Sequence, residues 1–480
     1  MRKLENLEPN RVFKYFEEIS KVPRGSGNMD KISEYCMEFA KKHSLEAICD
    51  DANNVIIFKA GTKGYENSEP IILQGHLDMV CQKEQDRDID FEKDGLDIYV
   101  EGDFIKAKGT TLGADNGIAV AIILAILESD SFEHPPIEAV FTSDEEIGMI
   151  GALKLNIDNL KGKKMINLDS EDPQKITVSC AGGSDFKMTI PVNRKKAEGE
   201  KFVLTVKGLK GGHSGVMINS GRVNANILMA RILNYASIIA EFDIISINGG
   251  DKGNAIPLLS VAEIVTNDGD ELIGKLKEYA AVIKKEISVR ESGFEFEIKT
   301  IEKGSFNIIE GDLKEKLIYM LLCAPNGVIE MSREIENLVE TSLNLGILKT
   351  EEDKIIALFS LRSNKQSALS FLEEKMKTYS KCIDCQVETG GHYPPWEFKD
   401  NSNLQRIYKD KFKEKFGFEP EIEAIHAGLE CGIFSSTIDG LDCISVGPVM
   451  MNIHTTKECL SISSTKDTFE IILNVLKACK

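Results

Sequence analysis

The chain has 480 residues, 42% hydrophobic and 28% charged, the balance of a folded globular protein too long for one ordinary core. Its formal net charge of −19 argues against nucleic acid or an anionic membrane surface as a partner. It has no run of about 18 apolar residues, so a membrane span is not expected.

Met1 to Pro9 turn polar before a secretory signal core could form. Residues 10 to 48 read as helical, with Val12, Phe13, Phe16 and Ile19 on one face and a break at Pro23-Arg24-Gly25-Ser26-Gly27-Asn28. Asn54 to Phe58 and Ile71 to Gln74 are short apolar runs of the kind that form buried parallel strands. A polar, hairpin-like stretch from Gln82 to Lys108 leads to Thr111-Leu112-Gly113-Ala114-Asp115-Asn116-Gly117 and an apolar helix, Ile118 to Leu127. The bland role for Asp115 there is a helix N-cap. Ile137 to Thr142 is a strand running into Ser143-Asp144-Glu145-Glu146, and Lys163 to Asp169 repeats the plan. Polar groups gathered at strand ends are where open parallel sheets form their ligand crevice.

From Ser184 the texture changes to alternating strands and helices in two passes. The first has strands at Phe202 to Val206, Ile244 to Asn248 and Ser260 to Val265. The second begins with a strand at Phe294 to Ile298. A duplicated α+β unit inserted into an α/β domain is expected, with boundaries at 1–183, 184–393 and 394–480. The α/β domain is expected to hold a mixed, largely parallel sheet flanked by helices. Tyr393-Pro394-Pro395-Trp396 reads as the stiff return linker, followed by a helix from Asn403 to Phe416 and a glycine-punctuated turn at His426 to Gly432. Eleven cysteines without a frame read as reduced thiols, so cytoplasm is the expected compartment. The lone Cys382-Ile383-Asp384-Cys385 has no second pair nearby to complete a zinc site.

The chemistry gathers around Gly75-His76-Leu77-Asp78. Residues two apart on a strand share a face, so Asp78 can accept one imidazole N–H of His76 and leave the other nitrogen for a metal. His76, Asp115, Glu146, Asp169 and His454 form a ligand set suited to zinc, with manganese or cobalt as substitutes. Five groups exceed one open catalytic site and suit two ions sharing a carboxylate. Adjacent Glu145 and Glu146 cannot point the same way, so one can bind metal while the other acts as base.

Gly75-His76-Leu77-Asp78, Gly113 to Gly117, Asp144-Glu145-Glu146-Ile147-Gly148, Asn167 to Ser170 and Ile453-His454-Thr455 resemble, in order and spacing, the co-catalytic zinc aminopeptidase and carboxypeptidase clan. The chain is more closely similar to its aminoacyl-histidine dipeptidase branch, also called cytosol non-specific or β-alanyl-histidine dipeptidase. The likeness runs end to end, through Leu361-Arg362-Ser363, Tyr393 to Trp396 and His426 to Glu430.

The resemblance implies that His76 and Asp169 hold one zinc, Glu146 and His454 the other, and Asp115 bridges. Asp78 would orient His76 and Glu145 would be the base, with a cis peptide at Asp115-Asn116. Gly211 to Gly215 resembles a lid motif whose histidine, here His213, stabilises an oxyanion. Asn254 and Arg362 resemble lid residues that bind the substrate's terminal carboxylate, a task suited to a planar guanidinium fork. His426 and Glu430 either line the pocket or cap a turn. The implied activity is hydrolysis of unblocked dipeptides of the Xaa-His or β-alanyl-histidine type by a hydroxide bridging two zinc ions; the sequence leaves open whether the chain pairs through its lid as a homodimer. The rivals are an N-acyl amino acid deacylase, a tripeptidase-like hydrolase and a non-catalytic metal- or peptide-binding protein.

Overall fold

The computed structural model describes residues 2–480, which fall into two compact units. The first runs to Cys180 and resumes over Trp396–Ala424 and Leu429–Lys480. The second comprises Ala181–Pro395 and Ile425–Gly428. Among the described residues no helix is long and apolar enough to cross a membrane.

The first unit is built on an eight-stranded sheet. Its strand order is Glu46–Cys49, Val55–Lys59, Ile137–Thr142, Ile71–His76, Lys164–Asn167, Asp442–Ser445, Lys175–Cys180 and Glu421–Ile425. The four inner strands from Ile137–Thr142 to Asp442–Ser445 are mutually parallel, and the outer pairings are antiparallel where the register is defined. Ile71–His76 and Ile137–Thr142 are buried at every position, which explains their unbroken apolar character. Helix Ala114–Glu128 is buried through Leu127 and apolar all round, as a helix enclosed by its domain must be. It packs on helix Asn10–Ile19 and on strand Ile71–His76. The polar Gln82–Lys108 stretch contains the hairpin Ile98–Glu101 and Phe104–Ala107, which joins Met450–Met451 and Cys459–Ser461 in a small four-stranded sheet.

The second unit carries a nine-stranded antiparallel sheet with two halves of one topology. In one half, strands Arg194–Lys207, Asp243–Gly249, Ser260–Thr266 and Glu295–Ile309 form a β-α-β-β-α-β unit with helices Ala225–Ile239 and Gly269–Ile287. In the other, Gly182–Pro191, Val339–Thr350, Lys354–Ser363 and Gln386–Tyr393 do the same with helices Leu313–Cys323 and Gln366–Ser380. In each half the fourth strand lies beside the first, then come the third and the second, and the halves meet at Gly249 opposite Leu348. The duplication is therefore present, but its boundaries differ from expectation. The strand around Phe294 closes the first half, pairing with Arg194–Lys207, and the second half opens earlier, at Gly182. One half is inserted after the first strand of the other, an order that local periodicity does not reveal.

Candidate metal centre

The site of the first unit stands at the C-terminal ends of its parallel strands, where side chains leave the ladder and can converge. His76 is the last residue of its strand, and Asp169 follows two residues after Asn167. Glu145 and Glu146 lie just beyond Thr142, and His454 sits between the antiparallel strands Met450–Met451 and Cys459–Ser461.

Asp115 occupies the centre. Its Oδ1 lies 3.1 Å from His76 Nε2 and its Oδ2 lies 3.1 Å from His454 Nε2, so each oxygen faces a different imidazole. His454 Nε2 also lies 2.8 Å from Glu146 Oε1, and His76 Nε2 lies 3.6 Å from Asp169 Oδ1. One ligand atom each from His76, Asp115 and Glu146 lies within 4.8 Å of the others. Asp115 is not the helix N-cap: that position falls to Gly113, and the Asp115 oxygens face the two imidazoles, with a cis peptide bond to Asn116.

Asn116 ties the strands together. Its Oδ1 accepts the His76 backbone N–H at 3.2 Å, and its Nδ2 donates to Leu168 O at 2.8 Å. Gly75 is required by this approach, because a Cβ there would come within 2.6 Å of Asn116 Oδ1 and 2.7 Å of Ala119 Cβ. Asp78, fully buried, lies 3.3 Å from His76 Nδ1 and accepts from Ser26 Oγ at 2.8 Å. It also accepts the backbone N–H groups of Glu145, at 2.9 Å, and of Glu146, at 3.2 Å.

The electrostatics are those of a site that wants a cation. Burial would lower the proton affinity of His76, but hydrogen bonds to Asp115, Asp169 and Asp78 outweigh it and raise its pKa well above the usual 6.5. Hydrogen bonds to Asp115 and Glu146 push His454 up to about 10. Burial lifts Asp169 to about 6, with Asp115 and Glu146 adding repulsion. Burial also raises Glu145 well above the carboxylate range, reinforced by Asp169, Glu430 and Glu146. Among the described residues no lysine or arginine forms an ion pair with Asp115, Glu146 or Asp169. Imidazole nitrogens and carboxylate oxygens converging without a fixed counter-charge fit a borderline-hard divalent ion.

The remaining expected residues are not among the converging ligand atoms. Glu430 belongs to the first unit, fully buried at the start of helix Glu430–Thr437, where a turn was expected. Its Oε2 accepts from Gln74 Nε2 at 2.6 Å and Thr142 Oγ1 at 2.7 Å, and burial lifts it to about 7. His213, Asn254, Arg362 and His426 all belong to the second unit. His213 pairs with Ala255 across a short ladder, and the Asn254 carbonyl accepts the Ser214 N–H at 2.9 Å. His213 Nδ1 faces the backbone N–H groups of Gly215 at 3.2 Å and Val216 at 3.3 Å, which leaves the ring proton on Nε2. Burial and the Arg362 charge hold His213 down to about 4, so it is neutral.

Arg362 is buried, with Nη1 donating to Tyr393 Oη at 2.7 Å and Nε without a partner. His426 lies 2.7 Å from Ser342 Oγ through Nε2 and 3.1 Å from Asn364 Oδ1 through Nδ1, and burial followed by the Arg362 charge lowers it to about 3. Asn116, Gln74, Arg24 and Glu458 escaped sequence reading. Arg24 stands in the loop between the first two helices, and Glu458 follows His454 by one turn's length of chain.

A family model described as peptidase family M20/M25/M40 matches residues 72–478. The chain is 34% identical to the cytosol non-specific dipeptidase of Escherichia coli (strain K12), covering 99% of both chains. It resembles the crystal structure of aminoacylhistidine dipeptidase from Vibrio alginolyticus with a TM-score of 0.89 and 35% identity, over 99% of this chain and 98% of that one. Aminopeptidase PepT from Bacillus cereus ATCC 10987 shares the fold alone, at a TM-score of 0.57 and 16% identity over 98% of this chain and 99% of that one. The chain belongs to peptidase family M20/M25/M40, and is thus an enzyme of a metallopeptidase family with the α/β fold and inserted unit expected from its sequence.

Proposed function

From that membership we propose that the chain is a dipeptidase with two metal ions, zinc in the first instance, that cleaves unblocked dipeptides of the Xaa-His type. The observation that carries the dinuclear reading is Asp115, whose two oxygens face His76 and His454 at equal distances of 3.1 Å. His76 and Asp169 would hold one ion, Glu146 and His454 the other, and Asp115 both. When bound, such ions supply a Lewis acid for the scissile carbonyl and a water of lowered pKa. The names of the Escherichia coli and Vibrio alginolyticus relatives support the dipeptide substrate, and the first of them supports a cytoplasmic location.

The chain's own groups divide the remaining work. Glu145 takes a proton from the attacking water onto its carboxylate and returns it to the leaving amine nitrogen as the carbonyl carbon–nitrogen bond breaks. Asp78 orients His76 and fixes the backbone that carries Glu145. The neutral His213 offers an Nε2–H donor to an oxygen on which charge develops. Arg362 binds the terminal carboxylate of the substrate through its guanidinium, and the Asn254 amide assists.

Amine release from four compounds tests the reading: β-alanyl-histidine, its C-terminal amide, a tripeptide and an N-acetyl amino acid. Each is assayed with chelator and again after zinc is restored. Chelator-sensitive cleavage confined to the free dipeptide is expected. Preferential cleavage of the acetylated compound would instead make the chain an N-acyl amino acid deacylase, and preference for the tripeptide would make it a tripeptidase.

A further inference from the structure

The segment Leu112 to Asp115 presents the central carboxylate and runs into the first residues of helix Ala114–Glu128, where Asp115 and Asn116 still have non-helical φ/ψ. Two buried side chains of opposite charge hold it. The Glu458 carboxylate, 3% exposed, accepts four consecutive backbone N–H groups. Its Oε2 takes Leu112 at 2.7 Å and Gly113 at 3.0 Å, and its Oε1 takes Ala114 at 2.8 Å and Asp115 at 3.3 Å. Consecutive amides at a helix start form an anion-binding hollow, here filled by the chain's own carboxylate.

Arg24, 2% exposed, works from the carbonyl side. Its Nη2 donates to Gly113 O, while Nη1 donates to Leu77 O at 2.9 Å and Asp78 O at 3.0 Å. Gly113 has φ +64°, and a Cβ there would meet Arg24 Nη2 at 2.5 Å, so the glycine serves both the backbone conformation and the approach of the guanidinium. Arg24 thereby links the His76–Asp78 strand exit to the Asp115 loop. Glu458 links the same loop to the His454 hairpin, since its own N–H donates to Thr455 O at 3.1 Å.

We propose that Glu458 and Arg24 are positioning residues: a buried clamp of opposite charges that closes on the Leu112–Asp115 loop and sets where the Asp115 carboxylate stands between His76 and His454. The inference rests on the metal-centre reading above. A charge-assisted hydrogen bond is roughly twice as strong as a neutral one, so an ionised pair restrains the loop more firmly than neutral partners would. Both charges spend their hydrogen bonds on the backbone of ligand-bearing segments, and neither touches a ligand side chain.

The test compares wild type with Glu458→Gln, whose amide retains one acceptor oxygen and loses the other. Zinc affinity of the folded protein is measured by competition with a chromophoric chelator, and kcat and KM are measured at saturating zinc. The expected result is about 10- to 100-fold weaker binding of both ions, the size of loss typical when the support of a metal ligand is removed, with kcat reduced and KM within about twofold. Should Glu458→Gln fail to fold, Arg24→Lys carries the same test, since it keeps the charge and loses the fork. Unchanged zinc affinity in a folded variant, with only a lower unfolding midpoint, would reduce the two groups to ordinary buried structural charges and overturn the proposal. A wild-type protein that binds fewer than two ions would overturn the dinuclear reading itself, and that is seen before any variant is compared.

Discussion

Asp78 accepts the backbone N–H of Glu145 at 2.9 Å, so the carboxylate that faces the His76 ring also fixes the segment bearing the proposed base. The expected consequence of Asp78→Asn is twofold, because an amide nitrogen cannot accept the hydrogen bonds that an ionised oxygen does. Zinc affinity is expected to fall by about 10- to 100-fold. Activity is expected to stay depressed at saturating zinc, because Glu145 and Glu146 lose an anchor. Full recovery of kcat with excess zinc would confine Asp78 to orienting His76.

Glu145→Ala is expected to retain both ions while kcat falls by about 10²- to 10⁴-fold, the range for removal of a general acid–base group. Metal analysis and steady-state kinetics on the same preparation check it. Near-normal turnover would remove Glu145 from the proton transfers.

Gly75→Ala places a methyl group 2.6 Å from Asn116 Oδ1 and 2.7 Å from Ala119 Cβ, atoms held by a buried hydrogen bond and a buried helix. Overpacking of this kind costs about 1–3 kcal/mol. Urea unfolding of metal-free protein measures it, and an unchanged midpoint would mean that the strand and helix separate freely.

Much of the first unit was legible in the sequence because its chemistry is local. A strand that ends in His76 and Asp78 announces both its burial and its polar exit, and Glu145-Glu146 and Asp169 follow the same rule. The inserted unit was harder to read. Its opening strand, Gly182–Pro191, pairs with Lys354–Ser363, more than 160 residues along the chain, and no local pattern records such a partner. Helix Gly269–Ile287, absent from the expectation, is legible after all: Leu272, Leu276, Ala280, Ile283 and Ile287 form a buried stripe at helical spacing. Arg24 looked like part of a helix-breaking loop, since a buried arginine bonded to carbonyls leaves no mark on hydrophobic periodicity. His426 was placed in the returning domain, whereas its ring bonds to Ser342 and Asn364 of the second unit.

His426 makes the second unit acid-sensitive. Its folded pKa is about 3 against a usual 6.5, so between those values the unfolded chain binds a proton that the folded chain refuses. The contribution is intact above about pH 6.5 and is lost as pH falls, at up to about 1.4 kcal/mol per pH unit. The difference in unfolding free energy between wild type and His426→Gln, followed from pH 7 to pH 4, is therefore expected to shift in favour of the variant as the solution is acidified. A difference independent of pH would contradict a neutral buried His426.

The shared carboxylate of Asp115 is tested most directly by titrating zinc into chelator-stripped protein and following dipeptide cleavage and bound metal together. Wild-type activity is expected to saturate at two ions per chain, and Asp115→Ala is expected to lose both ions together. Full activity with a single ion, or an Asp115→Ala protein that gives up one ion and keeps the other at wild-type affinity, would contradict a shared Asp115 carboxylate.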